Sequence, residues 1–165
     1  TVICFVRNDF TTQFEKYLDK NYLNRYNKVN ISSKAVNFKN LILTKGSVDV
    51  YNPKTVRATM GGIFKLNIIY ETPENIIEFL KKNDYLIVST ALHKDSISYE
   101  KIIQKDKNAY IFGNEGGGVS DYLIEQSDIK SIIPIYGDIE SLNVSVASGI
   151  FLYKMKEKQE ELKNV

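Results

Sequence analysis

The apolar residues of this sequence fall into short unbroken runs separated by amphipathic stretches, a pattern that predicts strands and helices in alternation. Unbroken apolar runs are typical of strands that are buried on both faces, as in parallel sheets. The predicted strands lie at residues 1–6, 27–31, 40–45, 67–70, 85–91, 108–112 and 131–135. We therefore predict an α/β fold in which a mostly parallel sheet is flanked by helices.

Candidate cap residues divide the amphipathic stretches into helices. Asn52 and Thr72 each precede a proline, which combines a good N-cap with a residue suited to the first helical position. Ser120 and Ser141 are the predicted caps of the last two helices. The predicted helices lie at residues 11–20, 53–64, 73–82, 120–126 and 141–162.

The last predicted helix carries small residues along one face, namely Ser141, Ser145, Ser148 and Gly149. Such a face allows a second backbone or a ligand to approach closely. Apolar side chains cover most of the remaining circumference, so we expect this helix to be buried nearly all round. One small sheet cannot cover so many faces, and we therefore expect a homodimer that buries part of this helix and part of the helix at residues 53–64.

Composition narrows the classes of function. The 165 residues suit one ordinary domain, and the net charge of +2 permits a nucleic-acid partner without demonstrating one. Cys4 and His93 are the sole cysteine and histidine of the sequence, which disfavours a disulfide framework, a zinc site and histidine-based nucleophilic catalysis. A single cysteine suits the reducing cytoplasm, and no apolar run approaches the length of a membrane span.

A glycine-rich loop follows the predicted strand at residues 108–112. It reads GNEGGGVS and begins at Gly113, and glycines let a backbone approach a ligand closely because no Cβ intervenes. It is neither a P-loop nor a dinucleotide-binding fingerprint, because both characteristic spacings are absent. Asn114 and Glu115, set among these glycines, favour a loop with defined polar partners over a mobile connection.

This loop and residues 133–153, IPIYGDIESLNVSVASGIFLY, resemble motifs two and three of the SpoU family, the RNA 2′-O-ribose methyltransferases of the SPOUT superfamily. Residues 43–64 resemble the segment between the family's first and second motifs. The resemblance implies S-adenosyl-L-methionine as cofactor, no metal, and structured RNA as substrate, with rRNA favoured over tRNA. It also implies a homodimer with a deep C-terminal trefoil knot, in which the chain from about Ile133 onward is threaded through the preceding loop.

The resemblance further implies roles for individual residues. The reacting hydroxyl is expected to meet Asn143 and Ser141, with Glu115 organising the glycine loop. The cofactor contacts are expected from Gly113, Ile133, Leu142, Thr90, Ala91, Asn114 and Gly116. The contacts to RNA are expected from Arg57, Lys45 and Lys54. Alternatively, Arg57 could pair with Asp49 or Glu71, and both lysines could be solvated surface residues.

The family's first motif, which supplies an Asn and an Arg ahead of the strand at residues 40–45, has no clear counterpart here. Aligned without a gap, the Arg position falls on about Ile31. Either the chain is an inactive, SPOUT-like RNA-binding relative, or residues are missing around positions 34–36. We favour the second alternative and predict that Ala35 and Val36, or a pair within two residues of them, are not bonded neighbours. Residues 1–35 would then be a fragment of a small RNA-binding domain, and residues 36–165 the knotted catalytic domain.

Overall fold

A computed structural model describes residues 3–6, 38, 40–44, 47, 49–60, 62–114 and 116–163. The predicted helix at residues 11–20, the predicted strand at residues 27–31 and the link between Ala35 and Val36 lie outside the described residues. The proposed domain boundary near residue 35 lies outside them as well, and so remains a prediction.

Seven strands form one mostly parallel sheet. They are β1 (Ile3–Val6), β2 (Asn40–Leu43), β3 (Asn67–Tyr70), β4 (Leu86–Thr90), β5 (Ile97–Ser98), β6 (Asn108–Phe112) and β7 (Ile129–Ile132). Their order across the sheet is β3-β2-β1-β6-β4-β7-β5. β1 is antiparallel to both of its neighbours, whereas the other four neighbouring pairs are parallel. The predicted α/β class with a mostly parallel sheet is therefore confirmed.

Helices cover both faces of this sheet. They are α1 (Pro53–Ala58), α2 (Pro73–Lys82), α3 (Asp121–Gln126) and α4 (Val144–Lys163), with 3₁₀ turns at Gly62–Lys65 and Tyr99–Lys101. One apolar core joins α4 to the sheet through Phe151, Leu152 and Met155. A second core joins α2 and α3 to the opposite face. Side chains of β4 alternate between the two cores, as the two-residue period of a strand requires.

Two predicted helices have different bounds in the structure. The helix predicted at residues 53–64 ends at Ala58, and Met60 then adopts a φ of 50°. This left-handed conformation ends the helix, and the chain continues into the 3₁₀ turn. The last helix begins at Val144 rather than at Ser141.

The expectation that this last helix is buried nearly all round is wrong for a single copy of the chain. Its buried side chains lie on one side, and they are Phe151, Leu152, Met155 and Gln159. Val146, Ile150 and Tyr153 are exposed, because the sheet can cover only one face of a helix.

The last strand also differs from its prediction, since β7 begins before Ser131 and ends before Pro134. Asp128 pairs twice with Ile87: its backbone N–H donates to the Ile87 carbonyl at 2.9 Å, and its Oδ2 accepts from the Ile87 N–H at 2.8 Å. These bonds bring the following residues alongside β4. Pro134 cannot donate a backbone hydrogen bond, which limits the strand at its other end.

Candidate functional site

A cleft of about 360 Å³ lies where β4, β6 and β7 end. The last residue of each strand, Thr90, Phe112 and Ile132, contributes to its wall. The other described residues of the wall are Ala91, Leu92, Ser131, Ile133, Ile135, Gly137, Ile139, Glu140, Ser141, Leu142 and Ala147. Ligands of open α/β sheets bind at the carboxyl ends of the strands, so this is the expected place for a ligand.

The wall of the cleft is mostly aliphatic, which suits a flat apolar ring with polar edges. Five residues singled out from the sequence meet here, namely Thr90, Ala91, Ile133, Leu142 and Ser141. Among the described residues of the wall, Glu140 alone carries a charge. A ligand with positive charge would therefore be favoured over an anionic one.

A short loop after β4, held by hydrogen bonds, forms one rim of the cleft. The Ala91 N–H donates to the Ser131 carbonyl at 3.1 Å. The Ser96 hydroxyl donates to the Ala91 carbonyl at 2.7 Å and accepts from the His93 N–H at 3.0 Å. These bonds hold Leu92 on the cleft wall although it is almost fully exposed.

The glycine-rich loop lies next to the cleft and closes on itself. Asn114 and Gly118 exchange two backbone hydrogen bonds of 3.3 and 3.0 Å, and Gly118 has a φ of 62°. The Gly117 N–H donates to Asn114 Oδ1 at 2.5 Å. A Cβ at Gly113 would lie 2.0 Å from the Gly118 carbonyl carbon, so this position requires glycine.

Three residues of this loop were expected to contact the cofactor, but Gly113, Asn114 and Gly116 are not among the described residues of the cleft wall. Asn114 instead organises the loop through its side-chain oxygen. Glu115, which was expected to do so, lies outside the described residues.

The amino end of α4 closes the cleft on its other side. Asn143 Oδ1 accepts from the Ser145 N–H at 2.9 Å, so Asn143 is the N-cap of this helix. The prediction that Ser141 caps the helix is therefore wrong. Ser141, two residues earlier, lies on the cleft wall and is exposed; Asn143 is exposed too but is not among the described residues of the wall.

Two of the predicted RNA-contacting residues, Lys54 and Arg57, are not among the described residues of the cleft wall. Lys54 and Arg57 are exposed on α1, and Lys45 lies outside the described residues. Within the described part of the chain, Arg57 forms a salt bridge with neither Asp49 nor Glu71. The Glu71 carboxylate instead accepts from the Thr72 N–H at 2.8 Å and from Asn75 Nδ2 at 3.0 Å.

Residues 29–153 match the sequence model of the SpoU rRNA Methylase family. The chain belongs to this family. The match covers both the cleft and the glycine-rich loop, so the resemblance seen in the motifs extends over most of the sequence.

The relatives that this chain resembles are named for action on two kinds of RNA, rRNA and tRNA. The chain is 34% identical over 116 residues to the 23S rRNA (guanosine(2553)-2′-O)-methyltransferase RlmP of Bacillus subtilis, covering 70% of this chain and 46% of that protein. It is 40% identical over 88 residues to the tRNA (guanosine(18)-2′-O)-methyltransferase of Aquifex aeolicus, covering 53% of this chain and 41% of that protein. The chain thus spans less than half the length of these two relatives.

A solved structure supports the same assignment of the fold. The AdoMet-bound rRNA methyltransferase of Sinorhizobium meliloti superimposes with a TM-score of 0.72 at 28% identity. The superposition covers 76% of this chain and 48% of that one.

None of the helices in the described residues has both the length and the apolar character needed to cross a membrane. The described residues also contain no group of three His, Cys, Asp or Glu side chains that could hold a metal ion.

Proposed function

We propose that this chain binds S-adenosylmethionine and methylates the 2′-hydroxyl of a ribose in structured RNA, with rRNA favoured over tRNA. The observation that carries the proposal is the cleft at the ends of β4, β6 and β7, whose wall includes motif-three residues of the SpoU family. The relatives named above methylate the 2′-oxygen of guanosine in 23S rRNA or tRNA, which supports this reaction class.

The cleft fits this cofactor in size and in chemistry. Its volume of about 360 Å³ lies within the usual range for small-molecule sites. Aliphatic side chains such as Ile133 and Leu142 would enclose the adenine, whose edges would meet backbone groups of the strand ends. The Glu140 carboxylate would favour the positively charged part of the cofactor.

When bound, the cofactor would supply an electrophilic methyl group on sulfur; its transfer to the ribose 2′-oxygen would break the carbon–sulfur bond, leave S-adenosylhomocysteine and release the hydroxyl proton to solvent. The chain must orient this weak nucleophile and stabilise the negative charge that develops on its oxygen. Ser141 and Asn143 would supply hydrogen bonds for this purpose. The amino end of α4 would add the positive end of a helix dipole, which favours a developing anion.

Exposed cations would guide the RNA to this site. Lys54 and Arg57 of α1 face solvent without an ion-pair partner in the described residues, so they can contact phosphates. Lys45 remains a predicted contact to RNA, and Glu115 a predicted organiser of the glycine-rich loop, on the strength of their motifs alone. We place the protein in the cytoplasm, where its RNA substrates would be found.

Two features of the assembly belong to the same proposal. The first is a homodimer, supported by the exposed apolar side chains of Val146, Ile150 and Tyr153 on α4.

The second is a deep trefoil knot formed from about Ile133 onward. A knotted chain pulled from both ends in optical tweezers should stop short of the contour length of about 3.3–3.6 Å per residue. Extension to the full contour length would contradict the knot.

Incubation with radiolabelled S-adenosylmethionine and purified rRNA or tRNA tests the reaction directly. We expect label in RNA, at a nucleotide whose 3′ linkage resists alkali because the 2′-oxygen is blocked. Label in tRNA alone would reverse the preference for rRNA. Binding of cofactor and RNA without transfer would instead identify an inactive RNA-binding relative.

A further inference from the structure

An exposed pair of tyrosines lies at the carboxyl ends of β2 and β3. Tyr70 is the last residue of β3, and Tyr51 precedes α1. Tyr51 is 43% exposed and Tyr70 is 37% exposed. Tyr51 lies close enough to Tyr70 to raise the pKa of the Tyr70 hydroxyl. Neither is needed for the cofactor cleft, whose wall is built elsewhere.

Hydrogen bonds hold the backbone of Tyr51 and the side chain of Tyr70. The Tyr51 N–H donates to Asp49 Oδ1 at 2.9 Å, and the Tyr70 hydroxyl has a backbone hydrogen bond with Val50. Burial raises the pKa of both hydroxyls, and Asp49 raises each further. Both side chains are therefore neutral at physiological pH and add no negative charge to this surface.

The tyrosine pair shares an edge and a face of the sheet with the cleft. Ile68, two residues before Tyr70 in β3, and Val88, two before Thr90 in β4, both belong to the core beneath α4. Alternation along each strand therefore directs Tyr70 and Thr90 to that same face. β3 and β6 are three strand spacings apart, which is about 14 Å. A single RNA strand could therefore reach both places.

Charged residues of both signs surround the tyrosines in the sequence, and Asp49 is the one that acts on both hydroxyls. Lys54 and Arg57 follow Tyr51 on α1, and both are exposed and without an ion-pair partner in the described residues. Asp49 is their acidic neighbour, and its side chain accepts from the Tyr51 backbone. Aromatic rings beside unpaired cations are the usual surface for an unpaired nucleotide, since the ring stacks on the base and the cations meet the phosphates.

We propose that Tyr51 and Tyr70, flanked by Lys54 and Arg57, form a stacking subsite for an unpaired nucleobase of the RNA substrate, a short distance along the strand from the methylated ribose. This inference rests on the proposed function, because it assumes that the strand continues into the cleft. It names single-stranded RNA, such as a loop or bulge, as the element recognised at this surface.

Tyrosine variants test the subsite. Tyr51→Leu removes a ring, Tyr51→Phe keeps it, and Tyr122→Leu on α3 is the matched control, since Tyr122 is 39% exposed and lies on the other face of the sheet. The probe is a short single-stranded RNA that carries 2-aminopurine, whose fluorescence is quenched when it stacks. Fluorescence anisotropy gives affinity, and calorimetry with S-adenosylmethionine gives cofactor binding in the same preparations.

We expect Tyr51→Leu to weaken single-strand binding about tenfold and to abolish the quenching, while binding of a duplex of the same sequence changes little. Tyr51→Phe and Tyr122→Leu should behave like the unmodified chain.

Replacing Lys54 or Arg57 by Gln tests the cations. The slope of log K for RNA binding against log salt concentration should become shallower by about 0.7 for each phosphate that the side chain no longer neutralises.

The two proposals fail in different ways. Unchanged binding in Tyr51→Leu, or an equal loss in Tyr122→Leu, would overturn the subsite even if methyl transfer is intact. Ring-dependent RNA binding without any methyl transfer would overturn the proposed reaction and leave the subsite standing. An unmodified chain that binds no single-stranded RNA would also overturn the subsite.

Discussion

The Asn143 side chain has two roles in our proposal. Its Oδ1 caps α4, and its amide N–H would donate a hydrogen bond at the cleft, where Ser141, two residues earlier, lies on the wall. We expect Asn143→Asp to keep the cap, because aspartate is an equally good N-cap, but to lose the amide donor. Methyl transfer should then fall by about 10²–10³, the usual loss for one oriented donor, while cofactor affinity changes little.

Single-turnover rates and calorimetry with S-adenosylmethionine would separate these two effects. Asn143→Ala should show the same loss of rate and, in addition, a fall of about 1 kcal/mol in the free energy of unfolding, because the cap is gone. Equal losses of cofactor binding and turnover in Asn143→Asp would show instead that the residue only shapes the pocket.

Gly113 lies where the neighbouring backbone leaves no room for a side chain. In Gly113→Ala the new Cβ would meet the backbone of Gly118 and Val119, which cannot move aside without opening the loop. The free energy of unfolding, measured by urea titration, should fall by about 1–3 kcal/mol. Gly116→Ala is the control from the same loop, because nothing lies within 4 Å of its position. Similar losses in both variants would contradict this explanation.

At the scale of residues, the sequence predicted those site members that belong to a motif. Ile133, Leu142 and Ser141 were found on the cleft wall in this way. Tyr51 could not be found, because its importance depends on which strand ends are neighbours. The sequence could not show whether Ser141 or Asn143 caps α4, because both residue types are good N-caps. Only the path of the chain in the structure identifies Asn143 as the cap.

Among the elements, two helices with similar predicted caps differ in the structure. The Thr72 hydroxyl accepts from the Asn75 N–H at 3.3 Å, whereas Ser120 makes no side-chain cap bond to α3. We expect Thr72→Ala to lower the free energy of unfolding by about 1 kcal/mol and Ser120→Ala to lower it by clearly less. Thermal and urea unfolding of the two variants would test the difference, and a larger loss in Ser120→Ala would contradict it.

Strand positions were predicted better than element ends. The runs in β2, β4 and β6 were recognisable because most of their residues are apolar, and in the structure all of them except Thr90 are buried. The early start of β7 depends on the double pairing of Asp128 with Ile87, which is a long-range contact. β5 has two residues and is too short to produce a periodic signal.

For the whole molecule, the exposed apolar face of α4 predicts self-association. We expect the unmodified chain to be a dimer by light scattering and Val146→Glu to be a monomer, because a carboxylate in an apolar interface would lose its hydration. Leu162→Glu is the control, since Leu162 is exposed at the other end of the same helix. A stable monomer of the unmodified chain at micromolar concentration would contradict the dimer.

The central place of β1 affects how the sheet can be assembled. β3 and β2 lie on one side of it and the remaining four strands on the other, and Ile3 pairs with both Leu43 and Phe112. Contacts between residues so far apart in sequence close large loops and therefore form slowly. The two half-sheets can each form before β1 joins them. Because β4, β6 and β7 all belong to the larger half, the cleft can take shape during folding while the sheet is still incomplete.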